Sequence, residues 1–179
     1  MKYIILDLEA TCWDSGPKRI NEIIEIGAVC INAQQKPEDE FNAFVRPVLN
    51  PQLSEFCTEL TSITQADVDK AETFDRVIKR FREWIGFDTE YWLCSWGFYD
   101  RKQLEQDCRM HKMGIEWLRN HISLKHQHAK IKQLSRPMGM SGALHIEGLP
   151  LIGTHHRGID DARNISAIFM KHFHEWEYK

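Results

Sequence analysis

Hydrophobic and polar positions in the first quarter of the chain follow the two-residue period of β-strands. Residues 2–9 read KYIILDLE, an apolar run that carries two acids near its end. Because successive strand side chains point to opposite faces, Asp7 and Glu9 share one face, and the apolar residues at even positions share the other. Segments 22–31 and 40–45 show comparable strand patterns, and the connections are short. The three segments predict an antiparallel meander.

Helical periodicity dominates the rest of the chain. In residues 74–85 apolar side chains recur at i, i+3, i+4 and i+7, between Thr73 and Gly86, which predicts a helix. Residues 91–95 are apolar enough for a central fourth strand. The other expected elements are a short helix after a capping box at 64–67, a helix over 100–113, a strand at 122–125, two short helices before 150, and a final helix over 161–173. This order predicts an α/β domain with a mixed sheet flanked by helices.

Composition limits the possible classes of protein. The length of 179 residues suits one domain spanning 1–179. No apolar run approaches the roughly 20 residues of a membrane span, and acids interrupt the N-terminal run, so no membrane segment or signal peptide is predicted. The five cysteines form no CxxC pair, which favours reduced thiols in a cytoplasmic protein. Residues 101–136 carry a net charge of +6 within a chain of net −3. This basic segment could hold a phosphate backbone or form a solvated surface.

Acids at the ends of the predicted strands indicate a cation site. Two carboxylates on a strand built for burial must be paired, protonated or bound to a metal. Besides Asp7 and Glu9, Asp100 follows the fourth strand and Asp161 begins the last helix, and sites in α/β sheets form beyond the carboxyl ends of strands. Two divalent ions about 3.5–4 Å apart can activate a water and stabilise a leaving oxygen in phosphoryl displacement. Hard ions such as Mg²⁺ prefer oxygen ligands. His156, close to Asp161, could accept the proton of that water.

Each of these residues alone also has a structural explanation. Asp100 could cap a helix, and Asp160 and Asp161 would favour a helix N-terminus electrostatically. His155 and His156 could be surface residues. The combination, in this order and spacing, favours the metal site. Spacing does not choose between the pairs His155/Asp160 and His156/Asp161, because both are separated by five residues.

Two further groups of residues are less informative. Glu22 and Glu25 fall on opposite faces of the second strand, so one of them could support the site from behind. His126 and His128 form a His-x-His pair, but no third ligand lies nearby in the sequence. No metal site is therefore predicted there.

Several segments together resemble a known family of nucleases. The segments are DLEATCW (7–13), INEIIEIG (20–27), LTSITQ (60–65), SWGFYD (95–100) and HRGIDDARNI (156–165). They are similar to the DEDDh 3′–5′ exonucleases of the DnaQ-like superfamily, and most of all to the Eri-like exoribonucleases. The resemblance covers the catalytic domain almost end to end. It implies an RNase H-like mixed sheet whose first three strands are antiparallel, flanked by helices.

The resemblance also implies roles for individual residues. Asp7, Glu9, Asp100 and Asp161 would hold two Mg²⁺ ions, for which Mn²⁺ could substitute. His156 would be the general base, because HRGIDD at 156–161 matches the family's His-x-Gly-Leu-Asp-Asp. The residues expected around the terminal nucleotide are Ala10, Thr11, Leu60, Thr61, Ile63 and Trp96, together with His156. Ser62 departs from the family, which usually has glycine there.

The expected activity is removal of nucleotides from the 3′ end of single-stranded RNA, with release of nucleoside 5′-monophosphates. Two alternatives stay open from the sequence: a single-stranded DNA exonuclease, and a catalytically silent protein that binds nucleic acid. The complete set of four acids and a histidine argues against the silent protein.

Overall fold

A mixed five-stranded sheet forms the centre of the molecule. The computed structural model describes residues 1–86 and 89–178. The strands are β1 (Lys2–Ala10), β2 (Ile23–Asn32), β3 (Pro37–Phe44), β4 (Tyr91–Ser95) and β5 (His121–Ser123), in the order β3-β2-β1-β4-β5. The first three strands pair antiparallel, whereas β4 runs parallel to β1 and β5 parallel to β4. This arrangement confirms the predicted mixed sheet with its antiparallel meander.

Helices cover both faces of this sheet. They are α1 (Glu55–Thr61), α2 (Gln65–Asp69), α3 (Phe74–Ile85), α4 (Tyr99–Met110), α5 (Leu124–Ile131), α6 (Met140–Glu147) and α7 (Gly158–Lys171). One apolar core joins β1 and β2 to α3 and α4 around Leu6 and Phe81. A second core joins the other face to α5, α6 and α7 around Ile5 and Phe169. No helix among residues 1–86 and 89–178 is long and apolar enough to cross a membrane.

The helix over 74–85 and the strand over 91–95 have the predicted bounds, whereas other elements differ. Helix α1 was not predicted; Ser54 caps it by accepting a hydrogen bond from the Cys57 N–H at 3.0 Å. The predicted capping box at 64–67 is present at the start of α2. Helix α4 ends at Met110, before the predicted 113. Residues 124–125 belong to α5 and not to β5, and α7 begins three residues before Asp161.

Candidate active site

The acids predicted to converge lie around one cavity, where β1 and β4 end. The cavity has a volume of about 460 Å³, and Asp7, Glu9, Asp100, Asp161 and His156 all line it. Oxygen atoms of Asp7, Glu9 and Asp161 lie within 4.8 Å of one another. The structure therefore brings together residues that are more than 150 positions apart in sequence.

Two of the four acids are positioned by hydrogen bonds from backbone N–H groups. Asp100, in the first turn of α4, accepts a hydrogen bond from the Leu8 N–H at 3.2 Å, which ties α4 to β1. Asp161, in the first turn of α7, accepts one from the His156 N–H at 3.0 Å. Glu9 and Asp161 are buried, with 8% and 6% of their surface exposed. Asp100 and Asp161 are thus fixed at the cavity by backbone hydrogen bonds and by their positions in the first turns of α4 and α7.

Desolvation raises the pKa values of all four acids, and repulsion by the other acids of the site adds to the rise for Asp7 and Glu9. Desolvation and the charges of Asp100, Glu9 and Asp161 raise the pKa of Asp7 well above its usual value. Desolvation and the neighbouring carboxylates raise the pKa of Glu9 to about 8. Desolvation also raises the pKa of Asp100, to about 6, and that of Asp161, although hydrogen bonds oppose the rise in both. Perturbed acids in a cleft are typical of a functional site.

The donor set fits divalent metal ions. Lys125 is the only lysine or arginine among the described residues that line the cavity, so the protein supplies little positive charge of its own. Asp161 Oδ1 is buried and has no hydrogen-bond partner within residues 1–86 and 89–178. Buried carboxylate oxygens without partners are costly unless a cation satisfies them. An all-oxygen set of this kind suits a hard ion.

The two adjacent histidines occupy different places at this site. Their rings lie 4.0 Å apart between centroids, and both line the cavity. The His155 side chain is 41% exposed, and its Nε2 lies 3.8 Å from Asp161 Oδ2. His156 is less exposed, and its backbone has a φ of 63°, in the left-handed region. Desolvation and the neighbouring His155 lower the pKa of His156, so its ring is neutral near pH 7 and can accept a proton.

A buried ion pair fixes the segment that carries His156. Arg157 donates two hydrogen bonds to the Glu25 carboxylate, both at 3.1 Å, and the Gly158 N–H donates a third at 2.9 Å. Glu25 is completely buried in β2. Of the two glutamates weighed from the sequence, Glu25 is therefore the one that supports the site. Glu22 instead accepts hydrogen bonds from the backbone N–H groups of residues 48–50.

Close backbone contact also sets the distance between α7 and the sheet. Gly27 pairs with Asp7 in the β1–β2 ladder. A Cβ atom at Gly27 would lie 2.1 Å from the Gly158 carbonyl carbon and 2.1 Å from the Ile159 nitrogen. Only glycine at this position permits the start of α7 to approach β1 and β2 this closely.

The residues expected around the terminal nucleotide are only partly brought to the cavity. Trp96 lines it, held by a hydrogen bond from its Nε1 to the Met138 carbonyl at 3.0 Å. The cavity lining does not include Ala10, Thr11, Leu60, Thr61 or Ile63. Leu60 is exposed, whereas Thr61 and Ile63 are fully buried. Their contact with substrate stays a prediction.

Sequence reasoning missed part of the cavity wall. Lys125, Met140 and Ser141 line it, at the starts of α5 and α6. The sequence places Lys125 in the basic segment 101–136, where it could face a phosphate or be solvated, but does not place it at the site of the acids. Met140 and Ser141 lie in a stretch of ambiguous pattern, and no sequence signal pointed to them.

Comparison with known proteins agrees with this arrangement. The family model described as RNase T, exonuclease, matches residues 4–169. ERI1 exoribonuclease 2 of Mus musculus is 34% identical over 192 residues, which cover 94% of this chain and 28% of that protein. The 3′-5′ exoribonuclease 1 of Homo sapiens is 33% identical over 177 residues, covering 93% of this chain and 51% of that protein. The chain thus spans about half, or less, of the length of these relatives.

A solved structure shows the same fold. The nuclease domain of 3′hExo, a DEDDh family member bound to rAMP, superposes with a TM-score of 0.92 at 31% identity, covering 99% of this chain and 96% of that one. A 3′-exonuclease that recognises the histone mRNA stem-loop superposes with a TM-score of 0.91 at 30% identity, covering 97% of this chain and 82% of that one. With the family match and the convergence of four acids and a histidine, these similarities show that the chain belongs to the RNase T exonuclease family, in its DEDDh, Eri-like branch.

Proposed function

We propose that the protein is a metal-dependent 3′–5′ exonuclease that hydrolyses phosphodiester bonds from the 3′ end of single-stranded RNA and releases nucleoside 5′-monophosphates. The observation that supports this most is the convergence of Asp7, Glu9, Asp100, Asp161 and His156 on one cavity. The family membership and the shared fold of 3′hExo add to it. Residues 1–179 would form one catalytic domain.

The four acids would hold two Mg²⁺ ions, with Mn²⁺ able to substitute. Such ions supply a nucleophilic water at neutral pH and stabilise the charge of the leaving oxygen. The carboxylates must lose their protons before they can bind a cation, and their raised pKa values make this step depend on pH. Asp7, Glu9 and Asp161 are the acids best placed to bind the same ion, because their oxygens lie within 4.8 Å of one another.

The protein's own residues would orient the substrate and move the proton. His156, neutral near pH 7, accepts the proton from the attacking water as its oxygen bonds to phosphorus. The bond between phosphorus and the 3′ oxygen of the penultimate nucleotide breaks, which releases the terminal nucleotide with its 5′ phosphate. Trp96 and Lys125, on the cavity wall, would contact a base and a phosphate.

RNA is proposed over DNA because the relatives reported above are named exoribonucleases. We further propose that the protein acts in the cytoplasm, where its five free cysteines would stay reduced. A single-stranded DNA exonuclease would use the same acids. The choice between the two substrates depends on contacts to the 2′-hydroxyl.

A degradation assay tests the proposal directly. Single-stranded RNA and DNA oligomers of the same sequence, labelled at the 5′ end, are incubated with protein and Mg²⁺, with Mn²⁺, or with EDTA. We expect a ladder of products that shorten from the 3′ end, with RNA degraded faster, and no products in EDTA. Intact oligomers in Mg²⁺ and Mn²⁺ would refute the exonuclease. Degradation in EDTA would refute the metal-dependent mechanism.

The adjacent histidines provide a matched pair of variants. Replacing His156 with alanine should lower kcat by at least about 10²-fold, as expected for loss of a general base. Replacing His155, which is more exposed, should have a much smaller effect. The reverse ranking would show that His155 is the base.

A further inference from the structure

A second cluster of potential metal ligands lies away from the catalytic cavity. It consists of His128 on α5, Glu147 at the end of α6, and His172 just past the end of α7. None of the three lines the catalytic cavity. The exposed fractions of the three residues are 1%, 5% and 7%, so the cluster is almost sealed from solvent.

Two imidazoles converge on one oxygen of the Glu147 carboxylate. His128 Nε2 lies 2.8 Å from Glu147 Oε1, and His172 Nε2 lies 3.0 Å from the same oxygen. Burial alone would raise the pKa of Glu147, but the neighbouring side chains of His128, His172, Lys171 and Lys132 lower it to about 2.

The hydrogen bonding of His172 leaves one ring nitrogen facing the carboxylate without a partner. Its Nδ1 lies 2.6 Å from Glu175 Oε1, so the ring donates its Nδ1–H to that carboxylate. Its buried Nε2 lies 3.0 Å from Glu147 Oε1 but makes no aligned hydrogen bond within the described residues. A cation bound to both atoms would satisfy this nitrogen and the carboxylate together. A histidine held by a carboxylate on its other nitrogen is the usual arrangement of a metal ligand.

We propose that His128, Glu147 and His172 form a structural binding site for one Zn²⁺ ion, separate from the catalytic cavity. Two imidazoles and one carboxylate suit zinc and similar borderline ions, whereas Mg²⁺ prefers oxygen ligands alone. The ligand atoms all lie within 4.8 Å of one another. A zinc ion would lie about 2.0–2.2 Å from each of the three ligand atoms, and a water would complete its tetrahedral coordination.

Two lysines compete with the metal for Glu147. Lys132 Nζ lies 3.3 Å from Oε1, and Lys171 Nζ lies 3.1 Å from Oε2. Their side chains are 32% and 45% exposed, so both ammonium groups can turn towards water. Lys171 can stay on Oε2 while the metal takes Oε1, whereas Lys132 has to leave. Loss of the Lys132 charge should therefore tighten zinc binding.

A zinc ion at this site would stabilise the part of the cavity wall that α5, α6 and α7 form. Its ligands come from α5, α6 and α7, and the same helices carry Lys125, Met140 and Asp161 to the cavity. The ring of His128 also lies 5.6 Å from that of Trp96, which lines the cavity. An ion that joins the three helices would hold these side chains in a fixed relation.

Zinc binding to the full chain tests the proposal. The background variant Asp7→Asn/Asp161→Asn removes two of the four catalytic acids and so weakens metal binding in the cavity, and the cluster variants described below identify the site of any remaining ion. The protein is stripped with a chelator, dialysed, and titrated with ZnCl₂ by calorimetry and with CoCl₂ by visible absorption. We expect one equivalent of either ion, a tetrahedral Co²⁺ spectrum, and a higher melting temperature with zinc. Absence of stoichiometric binding in this background would refute the site.

Variants of the cluster and one matched control complete the test. In the same background His172→Gln should abolish binding, and His145→Gln, an exposed histidine on the same helix as Glu147, should leave it unchanged. Glu175→Gln, at a 53% exposed position that tolerates change, should weaken binding about 10–100-fold. The Glu175→Gln variant tests the proposal even if near-ultraviolet circular dichroism shows that His172→Gln does not fold. Binding that survives Glu175→Gln at full strength would overturn the proposal. The result is independent of nuclease activity.

Discussion

Replacement of Glu9 by glutamine should stabilise the metal-free protein, and this effect should grow with pH. The Glu9 carboxyl has its pKa raised from 4.5 to about 8 in the folded protein by desolvation and by the charges of Asp161, Glu25 and Asp100. Folding therefore takes up a proton between these two pH values. The wild type loses stability as pH rises through this window, and the loss is complete above pH 8.

The size of the effect follows from the shift. At about 1.36 kcal/mol per pKa unit, a rise from 4.5 to about 8 corresponds to a ceiling of about 5 kcal/mol at pH 8 and above. The neighbouring acids take part in the same repulsion, so the whole of this free energy is not recovered by changing Glu9 alone. We therefore expect Glu9→Gln to raise the free energy of unfolding by roughly 2 kcal/mol at pH 8 and by little at pH 4.5.

Urea unfolding of EDTA-treated protein at several pH values between 4.5 and 9 measures this difference. Glu59→Gln, at an exposed position on α1, serves as the control and should show no comparable gain. Saturating Mg²⁺ should reverse the order, because wild type binds the ion through Glu9 and the variant does not. A gain that is the same at pH 4.5 and pH 9, or no gain at all, would refute the electrostatic account of the site.

Three other substitutions test how the fold positions the site. Gly27→Ala places a Cβ 2.1 Å from the α7 backbone, so it should lower the free energy of unfolding in urea by about 3 kcal/mol and kcat by about 10²-fold. Gly139→Ala, on the cavity wall with nothing within 4 Å of the added Cβ, should change neither quantity. Arg157→Lys removes the two parallel hydrogen bonds to the buried Glu25 carboxylate. It should lower kcat about 10–100-fold with a smaller change in KM. Equal changes in kcat and KM would contradict a positioning role. Ser62→Gly relieves a left-handed backbone with φ of 60° and should add about 1 kcal/mol, seen as a rise of about 2–4 °C in Tm with unchanged kcat.

Elements with strong local signals were predictable from the sequence. The helix over 74–85 has a regular apolar face and clear boundary residues, and its bounds agree with the structure. Asp7 and Glu9 could be singled out as candidate metal ligands because a buried strand has no structural reason to carry two acids on one face. Helix α1 was missed because it is only seven residues long and buries only two of them, Cys57 and Thr61, which leaves little periodicity to detect.

Features that depend on long-range contact were not predictable in the same way. His128 showed only a local pair with His126, whereas its actual partners are 19 and 44 positions further along the chain. Similarly, Gly27 gives no sign in the sequence that the start of α7 will pack against it, 131 residues later. The family resemblance supplied the choice of His156 over His155, because spacing left the two equal.

The order in which the cavity's residues occur along the chain has a consequence for its synthesis. A chain still on the ribosome carries Asp7, Glu9 and Asp100 long before His156 and Asp161 are translated. Helix α7 packs on β1 and β2 but follows them by more than 120 residues, so the cavity cannot form before residues 156–171 have been made. For a nuclease that acts on RNA, as proposed, the growing polypeptide could degrade no transcript until α7 had been made and had packed on the sheet.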